Sequence, residues 1–137
     1  MFKAIREIHQ TFDKKGLKHK VEQKGDHWVL LSGMSGDGDT YIYLFIKTDD
    51  SGNDVAVRSL PLGKVSRSNT GRVLELLNSF QQEYRFAKFV LDKDNDVMVQ
   101  YDFSVAQPNL GEAAAEIMLR LTRILDNCVP KLKPYLQ

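Results

Sequence analysis

Over the first fifteen positions apolar residues recur at spacings of three and four. Phe2, Ile5, Ile8 and Phe12 share one face of a helix. Gly16, following Lys14 and Lys15, stops that helix with cations at the negative end of its dipole. From 18 to 61 the period changes to two. Residues 18–24 (KHKVEQK) read as a polar strand, Gly25-Asp26 as a turn and 27–33 (HWVLLSG) as a stronger strand. SGMSGDGD then bends the chain into 39–48 (DTYIYLFIKT), the richest stretch in β-branched and aromatic residues. A turn at 49–53 leads to the strand 54–61, which Pro61 and Gly63 end. Short turns between successive strands predict an antiparallel meander.

A second helix opens near Asn69-Thr70, either of which can cap free backbone amides, and buries Val73, Leu74, Leu77, Phe80 and Tyr84. Residues 86–92 and 97–105 form two further strands joined by the turn DKDND. In the second, Val97, Val99, Tyr101, Phe103 and Val105 alternate with more polar residues. A last helix runs from about Leu110 to Cys128 on a stripe of Ala114, Ile117, Met118, Leu121, Ile124, Leu125 and Cys128, until Pro130 and Pro134 prevent its continuation. The order α-β-β-β-β-α-β-β-α predicts an α+β domain over 1–137, its helices packed against a twisted antiparallel sheet.

One strand breaks the expected alternation. In 39–48, Ile42, Leu44 and Ile46 line one face while Tyr41, Tyr43 and Phe45 line the other. An antiparallel strand with one wet face should alternate apolar with polar, so something is expected to cover both sides. Either another helix of the domain does so, or Tyr41, Tyr43 and Phe45 form a protein interface, where aromatics are enriched.

Composition narrows the class. With 42% hydrophobic residues and a formal charge of +1, the 137-residue chain can fill an ordinary core and does not resemble a disordered segment. One cysteine cannot form an internal disulfide. Apolar runs such as YIYLFI are far shorter than the roughly 20 residues of a membrane span, and Lys3, Arg6 and Glu7 stand where a signal peptide would be apolar. A cytoplasmic location is the expectation, with no membrane partner. Charge comes in blocks: residues 1–24 carry 7 Lys/Arg against 3 Asp/Glu, residues 36–54 carry 1 against 5. Such alternation suits a folded surface of both signs.

Catalytic and metal motifs are missing at the sequence level. Asp92, Asp94 and Asp96 have the spacing that begins a calcium loop, but Val97 and Phe103 stand where its glycine and bidentate glutamate belong, so a hairpin turn is expected. Asp37 with Asp39, and Asp49 with Asp50 and Asp54, read the same way. His9, His19 and His27 fall in no metal-ligand spacing and read as solvated or half-buried residues; Cys128 reads as an inert buried thiol. Ser35 resembles a nucleophile elbow superficially, yet Asp37 takes the place of the second glycine and no histidine follows. Gly63-Lys64-Val65 lacks the rest of a P-loop. No catalytic, cofactor or metal residues are therefore assigned. The basic run Lys14, Lys15, Lys18, His19 and Lys20 leaves a nucleic-acid patch on Lys14, Lys15, Lys18 and Lys20 as the alternative to an edge strand protected by charge.

Residues 77–105, LNSFQQEYRFAKFVLDKDNDVMVQYDFSV, resemble the YbjN-type family, labelled as bacterial sensory transduction regulators. The helix ending near Leu77-Asn78, the strand FAKFVLD, the acidic turn, the strand VMVQYDFSV and the final helix LGEAAAEIMLRLTRILDNCVPKL follow in the family's order, and the front part fits as well. The resemblance implies a type III secretion chaperone-like α+β fold that often forms homodimers and binds segments of other proteins. It implies no enzyme activity, cofactor or metal, and it carries over no functional residue. The chain departs from secretion chaperones in charge: they are acidic, whereas its isoelectric point is near 7.8. Together these readings point to a non-enzymatic protein-interaction module that binds another protein's apolar segment or its own copy, with a nucleic-acid-associated regulator as the alternative.

Overall fold

The computed structural model describes residues 3–35, 41–48 and 52–137. Three helices lie with one face of a seven-stranded antiparallel sheet: α1 (Lys3–Lys15), α2 (Thr70–Glu83) and α3 (Leu110–Leu132). The strands are β1 (Lys20–Lys24), β2 (His27–Ser35), β3 (Tyr41–Thr48), β4 (Asp54–Ser59), β5 (Gly63–Lys64), β6 (Lys88–Leu91) and β7 (Asp96–Ser104). The meander runs β1-β2-β3-β4; β7 then pairs with β4 and β5 along one edge and with β6 along the other. This is the α+β architecture that the sequence pattern predicts.

Cross-strand register sets the faces. Leu30↔Ile46, Ser32↔Leu44 and Met34↔Ile42 pair across β2 and β3, and Ile46↔Val57 continues the row into β4. This face meets Ile5, Ile8 and Phe12 of α1, Val73, Leu77 and Phe80 of α2, and Met118, Leu121 and Leu125 of α3 in one buried cluster. A core of this kind supplies most of the stability, since each fully buried aliphatic side chain contributes about 1.5–3 kcal/mol. The buried polar residues in it are satisfied. Ser32 Oγ donates to the Lys18 carbonyl at 2.8 Å. Ser59 Oγ accepts the Val99 N–H at 2.8 Å where the pairing shifts from Arg58↔Gln100 to Gly63↔Val97.

Several local expectations shift. Asn69 makes no side-chain cap on α2; a 3-10 turn at Arg67–Asn69 leads in, and the Thr70 N–H meets the Arg67 carbonyl. Leu74 is 50% exposed, because the α2 stripe is narrower than its leucines suggest. Pairing resumes at β5 beyond Pro61, on the edge of β7. The last helix passes through Pro130 to Leu132: the proline sits on the exposed side, and the cost of one missing backbone hydrogen bond is offset by burial of Val129 and Leu132. The DKDND segment is a hairpin turn, with Asp92 Oδ1 accepting the N–H groups of Asp94 and Asp96, each at 2.9 Å, and Asn95 at φ 61°. The turn residues Asp37, Asp39, Asp49 and Asp50 lie outside the described residues. No described helix is long and apolar enough to cross a membrane.

Candidate functional site

The two-faced strand β3 lies inside the sheet with its neighbours on both sides. Its helix-side residues Ile42, Leu44 and Ile46 are buried, whereas Tyr41 and Tyr43 are 57% and 47% exposed and Phe45 is half-buried. The helices all pack on the opposite face, so among the described residues no helix covers these aromatics. Tyr41 lies over the backbone of Gly33, where a Cβ would come within 2.6 Å of its hydroxyl, and meets Tyr43 edge-on at 4.9 Å between ring centres. A glycine on β2 thus gives the tyrosine its seat.

Half-buried Val29 and Leu31 of β2, together with Leu60, extend the apolar surface around Phe45. With Glu22, Lys24 and Lys47 they line a shallow groove of about 430 Å³. An adjoining hollow of about 560 Å³ reaches Lys24, Lys47, Ala56, Arg58 and Asp102. Arg58 grips Asp102 through two hydrogen bonds, at 2.6 and 3.3 Å. The surface is therefore an apolar and aromatic strip rimmed by the ammonium groups of Lys24 and Lys47, with Glu22 and the Arg58–Asp102 pair beside them.

The basic residues singled out in the sequence do not form one uniform patch. Lys15 pairs with Glu112 of α3 at 2.9 Å, and Lys20 with Glu22 at 2.7 Å, while Lys14 and Lys18 are exposed. The Lys20 ammonium, hydrogen-bonded to Glu22, holds that carboxyl below its usual range. At the other end of the sheet, β6 is closed by a side chain: the Gln81 amide donates to the Phe89 carbonyl at 3.1 Å and accepts its N–H at 3.2 Å.

The structure joins two histidines that the sequence leaves apart. Gly16 turns the chain back at the end of α1 with φ +69°, and the Leu17 N–H bonds the Phe12 carbonyl at 2.9 Å. That reversal brings His19 Nε2 within 2.7 Å of His9 Nδ1, with Asp13 beside both. The only prior signal was His9 and Asp13 at helical spacing ahead of a glycine stop. His27 is exposed at the far end of the β1–β2 hairpin. Cys128 has no exposed surface, and burial pushes its thiol up to about 11.

A helix-backed antiparallel sheet with one uncovered, aromatic face defines an α+β protein. The YbjN family model, described as "Putative bacterial sensory transduction regulator", matches residues 5–126. The chain belongs to the YbjN family. Its fold is similar to the crystal structure of YbjN from E. coli, with a TM-score of 0.67 at 17% identity over 95% of this chain and 91% of that one. It is also similar to a chain of the ExsC-ExsE complex, with a TM-score of 0.54 at 14% identity over 90% of this chain and 91% of that one. Among curated proteins, none matches the sequence.

Proposed function

We propose that the protein is a non-enzymatic interaction module, 1–137 acting as one YbjN-like unit, that buries an apolar segment of another protein on the open face of its sheet. The observation that carries this reading is the exposure of Tyr41 and Tyr43 on a central strand, next to Phe45, Leu31 and Val29. Aromatic side chains supply large contact area at low conformational cost, and an uncovered cluster of them is the usual signature of a docking surface. Lys24 and Lys47 on the rim favour a segment with acidic residues flanking its apolar centre. Support also comes from the fold shared with a chain of the ExsC-ExsE complex, a structure of two proteins bound together.

The test compares capture from native lysate by wild type, by the triple variant Tyr41→Ala/Tyr43→Ala/Phe45→Ser, and by a variant with Lys14, Lys15, Lys18 and Lys20 changed to Gln. A stoichiometric protein that survives high salt and nuclease, and is lost only from the folded triple variant, is the expected outcome. Retention by the triple variant would remove the aromatic face from the argument. Salt-sensitive nucleic acid lost with the lysines would favour the alternative.

A further inference from the structure

We propose that His9, Asp13 and His19 bind one divalent transition-metal ion of the zinc class, tying the end of α1 to the segment that enters β1. One ligand atom from each residue lies within 4.8 Å of the others. Two neutral imidazole nitrogens and a carboxylate form the donor set that zinc and its neighbours in the first transition row prefer.

The tautomer of His19 is set by its surroundings. Its Nδ1 lies 2.7 Å from the Leu17 carbonyl, which can only accept, so Nδ1 carries a proton and, in the neutral ring, Nε2 presents a lone pair. A backbone carbonyl in this role is the usual partner of a metal-bound histidine. The ring is also held in place: its side chain is 5% exposed and meets Phe12 edge-on at 5.5 Å. In the absence of metal, His9 Nδ1–H donates to that lone pair at 2.7 Å.

Little has to move for an ion to replace that proton. Two ligands at about 2.0–2.1 Å from a tetrahedral zinc stand roughly 3.3 Å apart. Asp13 Oδ1 is already 3.6 Å from His19 Nε2, His9 Nδ1 must swing back by about 0.6 Å from its hydrogen-bonded position, and all three ligand atoms start within 4.8 Å of one another. His9 is 35% exposed on the helix surface and has room to do so. Its proton passes to Nε2, leaving Nδ1 as the ligand, with Asp13 Oδ2 at 3.4 Å from Nε2. Asp13 is 61% exposed, so the fourth position opens to water or to a ligand from outside the chain.

The test is calorimetric titration of the untagged, chelator-treated full chain with Zn²⁺, and with Mg²⁺ as a second probe. Saturable one-to-one binding of Zn²⁺ without binding of Mg²⁺ is expected, weakened at least tenfold in His9→Ala and in Asp13→Ala and unchanged in His27→Ala. Because the His19 side chain is nearly covered and bonded to the Leu17 carbonyl, its part is read from the ring ¹⁵N signals of the wild type: Nε2 shifts on zinc addition while Nδ1–H persists. Absence of one-to-one binding, affinity unaffected by His9→Ala, or an unmoved His19 Nε2 signal would each overturn the site.

Discussion

Positions on opposite faces of β3 separate stability from docking, and a matched pair of alanine substitutions measures the difference. Ile46 is fully buried, and truncation to alanine removes its packing and leaves a cavity, at a cost of about 3 kcal/mol. Tyr43 is 47% exposed. About half of a tyrosine's roughly 200 Å² is then covered. With alanine retaining about half of that contact, some 50 Å² at 25 cal/mol per Å² gives about 1 kcal/mol. Urea unfolding followed by the fluorescence of the single tryptophan, Trp28, half-buried on β2, reads both. With a slope near 2 kcal/mol per molar, the midpoint should fall by about 1.5 M for Ile46→Ala and about 0.5 M for Tyr43→Ala. Equal losses would mean that Tyr43 is covered and the face is not open. So would a wild-type midpoint that rises with protein concentration and loses that dependence in Tyr43→Ala, since a second copy would then fill the face.

Gly111→Ala should destabilise the protein by about 2 kcal/mol in the same assay, because the added Cβ would fall 1.8 Å from Thr11 Oγ1 and pry α1 from α3. Gln81→Ala should cost about 1–2 kcal/mol through two lost hydrogen bonds to Phe89, with hydrogen exchange at the Phe89 amide accelerating most. Cys128 should resist alkylation at pH 8 until urea unfolds the chain. Its folded-state value is raised, so its contribution to stability is complete below the unfolded value near 9 and is lost as pH climbs toward 11. Unfolding midpoints measured between pH 8.5 and 11 follow that loss, and a thiol that reacts quickly in the folded protein would contradict its burial.

Local chemistry carried most of the fold in the sequence. The change of period from helical spacing to alternation marks β1 to β4, Gly16 marks the end of α1, and the Val97–Val105 alternation marks β7. The double-sided apolar pattern of β3 was legible too, but the sequence could not say which side the helices cover. Register decided that: Ile42, Leu44 and Ile46 align with Leu30 and Val57, which α1 and α3 bury. Features that depend on tertiary contact were not legible. The helix runs through Pro130 because Leu132 finds a buried site, and His9 meets His19 because a left-handed glycine folds ten residues back upon themselves.

The sheet's edges bear on how a partner would be held. A segment that added itself as a strand would need a row of open backbone groups. At β6 the Gln81 amide already occupies the N–H and carbonyl of Phe89 that such a strand would use. At β1, Lys20 and Lys24 stand on the terminal strand, and lysines there discourage a further strand by their charge and hydration. Both ends of the sheet thus oppose extension, one by a covering side chain and the other by charge. The open face has the opposite character, with Tyr41, Tyr43 and Leu60 all exposed. Side-chain burial on the face, rather than backbone pairing at an edge, is the mode of docking these surfaces favour. Partner recognition would then depend on the spacing of the partner's apolar side chains more than on its capacity to form a strand.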